Sequence, residues 1–201
     1  MNKPYAEACD RNQGPILSVV EPLFADCKAV LEIGSGTGQH AVYFAAKMPH
    51  LVWHTSDVKE NHADIKAWLN DEKLSNVRAP VLLDVKQNDW PDITADTVFS
   101  ANTAHIMHQD GVEAMFSGVG KLLPEHGKFV LYGPFNYHNQ YTSDSNARFD
   151  VWLKARDPQS GIRNFEDIDK LAKAANMIFI QDYEMPANNR ILHWQKQDRD
   201  Q

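Results

Sequence analysis

The sequence is short of the features that would commit it to several large classes of protein. Only two of its 201 residues are cysteine, Cys9 and Cys27. They fall in different expected elements with no Cys-x-x-Cys spacing, so the expectation is two free thiols in a reducing cytosol rather than a disulfide framework. No stretch approaches the roughly 18 uninterrupted apolar residues of a membrane span. The first ten residues carry acidic groups and lack the apolar core of a secretory leader, which points to a cytoplasmic protein with no membrane partner. Positive charge is also scarce: 20 Lys plus Arg stand against 27 Asp plus Glu, a net charge of −7. The basic residues are scattered, whereas phosphate neutralisation calls for a basic patch; no nucleic-acid partner is expected. There is no internal repeat, low-complexity tract or linker, so residues 1–201 read as one domain.

What is present is an ordinary core-forming composition, 43% apolar, arranged in alternating short apolar runs and helical stripes. A helix is expected from about Pro15 to Phe24, with Ile16, Val19, Val20 and Leu23 on one face. Strands are expected at Lys28 to Ile33, Leu51 to Thr55, Ala79 to Leu83, Asp96 to Ala101 and Lys128 to Tyr132. Between them lie helices at Gln39 to Lys47, Ala63 to Asn70 and Gly111 to Leu123. Gly133 to Ser145 reads as a loop, followed by helices at Asn146 to Ala155 and Phe165 to Ala175, with Asn176 as C-cap. Met177 to Tyr183 and Arg190 to Trp194 form a closing antiparallel hairpin, and Asp198 to Gln201 a polar tail. Strands alternating with helices mean a doubly wound, mostly parallel, seven-stranded α/β sheet.

In such a sheet ligands bind beyond the carboxyl ends of the strands, at the switch point. The loop after the first strand sits there: Leu31 to His40 reads Leu-Glu-Ile-Gly-Ser-Gly-Thr-Gly-Gln-His. Gly34, Gly36 and Gly38 let the backbone turn sharply and approach a ligand, and the helix from Gln39 aims free N–H groups the same way. The dinucleotide fingerprint requires glycine where Gln39 stands, and no Gly-Lys-Ser/Thr follows for a P-loop. Asp57, at the end of the second strand, is placed to accept hydrogen bonds from ribose hydroxyls; its rival role is a helix N-cap.

The pattern Glu-x-Gly-x-Gly-x-Gly, Glu32 through Gly38 with Ser35 between the first two glycines, resembles motif I of class I methyltransferases. Longer stretches resemble the DUF938-type, methyltransferase-like protein twenty-six family. They are Asp10 to Leu17, Leu31 to Tyr43, Ser100 to Met107, Leu131 to Asn136, Ser143 to Phe149 and Met185 to Arg190. The chain departs from that family at Ala104, where the family typically has Leu. The resemblance implies a Rossmann-like class I fold with the C-terminal hairpin, and S-adenosyl-L-methionine as cofactor. It implies that Asp84, closing the third strand, accepts from the adenine amino group, against a plain turn role, with Val85 packing on the adenine face. Arg11 and Asn12 precede the expected first helix, and in such a fold this segment can close over the methionine end of the cofactor, with His40 a further candidate cofactor contact. Arg11 is a candidate for the methionine carboxylate, since a guanidinium matches a carboxylate in bidentate fashion; its rival reading is a surface ion pair.

Asn102, His105 and Tyr132 follow or end central strands and are the candidate catalytic groups; Asn102, expected between cofactor and substrate, is a candidate cofactor contact as well. Methyl transfer mainly needs near-attack geometry, but an oxygen nucleophile needs a base, and His105 is the best-placed histidine. The competing reading is a His satisfied beneath the pocket. His105 and His108 stand three apart, yet no third ligand follows at a metal spacing, so no metal is expected. Tyr132, Phe135, Tyr137, Tyr141, Phe149 and Trp152 form either an aromatic wall for a small substrate or ordinary packing. A small-molecule substrate is the leading expectation. The alternatives are a protein methyltransferase and a cofactor-binding protein without catalysis. No Asn-Pro-Pro-Tyr element follows the fourth strand, unlike the nucleic-acid amino-methylating enzymes.

Overall fold

The computed structural model describes residues 3–198; of the expected polar tail, 199–201 lie outside them. In chain order the elements are α1 (Glu7–Leu23), β1 (Ala29–Ile33), α2 (Gln39–Lys47), β2 (Val52–Asp57), α3 (His62–Glu72), β3 (Val77–Leu82), β4 (Thr97–Ala101) and α4 (Gln109–Leu122). Then follow β5 (Lys128–Gly133), β6 (Phe135–Asn136), α5 (Asp144–Arg156), β7 (Arg163–Asn164), α6 (Phe165–Ala174), β8 (Met177–Met185) and β9 (Asn189–Lys196). Seven strands take the order β3-β2-β1-β4-β5-β9-β8, and β6 pairs with β7 separately. This is the mostly parallel α/β sheet with an antiparallel C-terminal hairpin that the alternation predicts. The chain gathers into two compact units, one ending at Ser100 and the other starting at Ala101.

In the first unit β1 runs parallel to β2 on one side and to β4 on the other. The chain therefore moves outward through β2 and β3 and returns across β1, which puts the switch point at the carboxyl end of β1. Strands covered on both faces read as near-continuous apolar runs, and Val30, Leu31 and Ile33 are buried accordingly. Phe44, Trp53 and Phe99 form the aromatic core here, with ring centroids 5.6 to 6.0 Å apart.

The first helix is longer than expected. Pro15 reads as a helix start because proline suits the first helical position. Instead α1 begins at Glu7 and carries Pro15 and Pro22 inside it. Tertiary contacts hold its first turn. The Gln39 side chain accepts from Ala6 N–H at 2.6 Å and donates to the Ala6 carbonyl at 3.4 Å. The Trp68 indole donates to the Pro4 carbonyl at 2.6 Å. Arg11 and Asn12 consequently lie within the helix and not ahead of it, a correction to the sequence reading.

In the second unit Phe116, Phe129 and Trp194 pack at 5.1 to 5.8 Å, and the Trp194 indole donates to buried Asp169 at 3.1 Å. Helix α5 starts before the expected Asn146 because Ser143 caps it, its hydroxyl accepting from Asn146 N–H at 3.1 Å. Asn176 follows α6 with φ 58°, the left-handed conformation of a helix-ending Asn. The hairpin turns through Ala187 and Asn188, with φ of 58° and 57°. Two positive φ values make a turn whose twist matches the flanking strands. The expected loop 133–145 contains β6, whose partner β7 is too distant in sequence to leave a local signal.

Candidate functional site

The glycine loop leaves β1 at Ile33 and enters α2 at Gln39. Gly34, Gly36 and Gly38 have φ of 73°, 58° and 89°, a region that residues with a Cβ enter only at a cost. A Cβ on Gly38 would come 3.1 Å from the backbone of Ile65, whereas one on Gly36 would meet nothing within 4 Å. The side-chain direction at Gly36 is thus open. Ser56, which the sequence did not single out, fixes the loop's base. Its carbonyl accepts from Gly34 and Ser35 N–H at 3.1 and 2.9 Å, and its hydroxyl donates to the Glu32 carbonyl at 2.6 Å.

Two carboxyl groups flank the loop. Asp57, at the end of β2, accepts from Gly36 N–H through Oδ2 at 2.8 Å. Its Oδ1 accepts from Val58 N–H at 2.8 Å and Asn61 Nδ2 at 2.9 Å. It does not cap α3, whose N-cap is Asn61. A carboxylate has about four acceptor positions, so capacity remains after these three bonds. Glu32 is 2% exposed. Ser35 Oγ and Trp53 Nε1 donate to its Oε2 at 2.8 and 3.2 Å. Burial pushes its carboxyl up to about 7, and the Asp57 charge adds to this against those two hydrogen bonds.

The remaining first-unit candidates occupy distinct surroundings. His40 is buried, stacks on Phe44 at 5.2 Å and holds Nε2 2.7 Å from Asn12 Oδ1. Desolvation lowers its imidazole to about 4. Arg11 makes an exposed i,i+4 ion pair with Glu7 at 3.0 Å. Asp84 lies just past β3, where its Oδ1 accepts from Lys86 N–H at 3.0 Å in a local turn, and Val85 is buried beside it.

In the second unit Asn102 adopts φ 59° as the chain leaves β4, and its N–H donates to the Tyr132 carbonyl at 2.9 Å. Tyr132 itself is 4% exposed and His105 5%. The imidazole of His105 packs edge-on against Phe149 at 5.3 Å, and a Cβ on Gly133 would lie 3.6 Å from its Nδ1. Burial, then the Arg163 charge, lowers it to about 4, so it is neutral near pH 7. His108 is engaged elsewhere, its Nε2 2.6 Å from Asp157 Oδ2. Among the described residues, no group of three or more His, Cys, Asp or Glu is set to hold a metal ion, and no helix is long and apolar enough to cross a membrane. Of the aromatic residues after β5, Phe135 is core, while Tyr141 and Trp152 are exposed; Trp152 stacks on Phe149 at 5.7 Å.

The fold is shared with solved methyltransferases. An O-methyltransferase family protein from Burkholderia thailandensis superposes with a TM-score of 0.84 at 14% identity, over 96% of this chain and 59% of that one. The mitomycin 7-O-methyltransferase gives 0.82 at 14% identity, over 94% and 54%. Human N-acetylserotonin methyltransferase, solved in complex with S-adenosylmethionine, gives 0.80 at 14%, over 96% and 53%. The chain thus spans a little more than half the length of each. At the level of sequence, the family model described as "Protein of unknown function (DUF938)" matches residues 3–196. The chain therefore belongs to the DUF938 family.

Proposed function

We propose that this chain is an S-adenosylmethionine-dependent methyltransferase acting on a small molecule. The carrying observation is the loop Glu32 to Gly38 at the switch point, with three left-handed glycines and the Asp57 carboxylate bonded to Gly36. The residues fit an adenosyl cofactor. At Gly36 the space a side chain would fill is open, and Asp57 retains acceptor capacity for ribose hydroxyls. Asp84 and Val85 follow as the adenine contacts. Asn12, His40 and Arg11 are assigned to the amino-acid end, Arg11 by leaving its exposed ion pair, which is worth little. The similarity to solved proteins named as methyltransferases, one of them with S-adenosylmethionine, supports the same reading.

When bound, the cofactor supplies a sulfonium-activated methyl group, so the protein's work is placement and proton handling. We assign His105 to accept the proton of the nucleophile, because its imidazole is held neutral. Asn102 and Tyr132, joined through their backbones, are assigned to orient the acceptor. Calorimetric titration with S-adenosylmethionine and S-adenosylhomocysteine tests the cofactor; failure of both to bind the wild-type chain overturns the proposal. Asp57→Ala is expected to weaken binding roughly 10- to 100-fold, the worth of hydrogen bonds to a charged group. Its circular dichroism spectrum should stay folded. Transfer of labelled methyl to hydroxylated small molecules then tests the reaction class.

A further inference from the structure

The segment between β4 and α4 carries Asn102 and His105. Within it, Ile106 and Met107 N–H donate to the Thr103 carbonyl, each at 3.0 Å. A loop of this kind ordinarily leaves its carbonyls to water. Here four successive carbonyls are taken by one remote segment, residues 159–163. Arg163 Nε donates to Ala104 O at 3.0 Å, and Gly161 N–H donates to His105 O at 2.9 Å. Ser160 Oγ donates to Ile106 O at 3.0 Å, and Arg163 Nη2 donates to Met107 O. The His108–Asp157 pair closes the same seam.

The remote segment is itself anchored. Asp150, 1% exposed, accepts from Ile162 N–H at 2.7 Å, Lys154 Nζ at 2.6 Å and Tyr141 Oη at 2.7 Å. Gly161 is required there, since a Cβ would meet Asp150 Oδ1 at 2.9 Å. Arg163 pairs in β7 with Phe135 of β6. Its guanidinium also reaches the Gln159 carbonyl at 3.1 Å, so its hydrogen bonds all go to backbone oxygens. Spanning two carbonyls three residues apart suits a rigid fork of donors. A lysine ammonium on a flexible stem does not reproduce it.

We propose that residues 157–163 are a clasp that fixes the His105 loop, with Arg163 as the positioning residue that holds His105 where it accepts the substrate proton. This rests on the reading of His105 as the base. Arg163 then acts through its fork, which pins carbonyls on either side of His105, while its charge adds to burial in disfavouring the imidazolium.

The test uses the full chain with Arg163→Met and Arg163→Lys. Amide hydrogen exchange is followed at Ile106 and Met107, the His105 ring is titrated by NMR, and S-adenosylmethionine binding is measured by calorimetry. Arg163→Met should speed exchange at both amides by about 10- to 100-fold, from the loss of charged hydrogen bonds. It should also move the His105 titration upward, by of the order of one unit. Arg163→Lys should restore the titration but not the slow exchange, a split that a purely structural arginine would not give. Cofactor affinity should be unchanged in both, because the residues assigned to it lie in the first unit. A folded Arg163→Met with wild-type exchange and titration overturns the clasp while leaving the methyltransferase reading standing. Should Arg163→Met fail to fold, unchanged exchange in Arg163→Lys overturns it equally. Absence of cofactor binding by the wild type would overturn the methyltransferase reading alone, since exchange and titration report the clasp without it.

Discussion

Glu32 offers the sharpest test of the physical account, because a carboxyl buried beneath the loop must make the fold sensitive to pH. Its ordinary value is 4.5, and burial raises it to about 7 in the folded chain. Folding therefore favours the protonated form. Below pH 4.5 the group is protonated in both states and exerts no drag. As pH rises through 7 the folded chain must carry a desolvated charge, and stability is lost. A displacement of that size corresponds to about 3 kcal/mol at pH 8.

Glu32→Gln removes the titration while keeping the shape. The glutamine oxygen can accept from Trp53 and Ser35 as the carboxylate does. Its buried amide introduces a cost of about 1 to 3 kcal/mol if it finds no acceptor, but that cost does not vary with pH. The measurement is thus the difference in unfolding temperature between variant and wild type, followed by circular dichroism from pH 4.5 to 8. The variant should gain on the wild type by roughly 6 to 12 °C across that range, at about 2 to 4 °C per kcal/mol for a chain of this size. A gap that stays constant with pH would refute the assignment of a buried, charge-averse Glu32.

The buried histidines act with the opposite sign. His193 on β9 is 5% exposed, and desolvation lowers it to about 4 from 6.5. Its contribution is intact above pH 6.5 and lost as pH falls through 4, about 3 kcal/mol in all; His193→Leu should flatten the acid limb of a denaturation profile. Ala187 stands at φ 58° in the hairpin turn. Ala187→Gly should raise stability by about 1 kcal/mol, read as a higher urea midpoint at constant slope. Gly38→Ala should cost at least 1 kcal/mol from its left-handed backbone and more from Ile65 at 3.1 Å, seen as a lower unfolding temperature.

How much of this was legible in the sequence depended on how local each cause was. The passage from β1 through the glycines to α2 is written in consecutive residues, and the three glycines do take the positive φ that their spacing demanded. The hairpin turn was equally local, with Ala187 and Asn188 between two apolar runs. The start of α1 was not. Pro15 lies well inside the helix, and the Gln39 and Trp68 contacts that hold the chain helical from Glu7 come from distant positions. The short strands β6 and β7 failed for the same reason, since neither carries a pattern until paired. Arg163 and Asp150 looked like ordinary charged residues because their partners are backbone groups far along the chain, and a carbonyl leaves no mark in a sequence.

The same distinction applies to single-residue readings at the loop. Asp57 stands where the sequence put it, yet the alternatives of ribose acceptor and helix cap both leave out what it does unaided. Its Oδ2 holds Gly36 N–H, while Asn61 and Val58 hold its Oδ1. Under the proposed function, a carboxylate fixed by three donors would lose little further freedom on cofactor binding, so binding would not include the cost of ordering it. Ser56 extends the logic, locking Gly34 and Ser35 from the neighbouring strand while its hydroxyl returns to Glu32. The loop is thus held by Glu32, Asp57 and Ser56, while a Cβ at Gly36 would meet nothing within 4 Å. Under the proposed function, that rigidity is what a preorganised cofactor site requires.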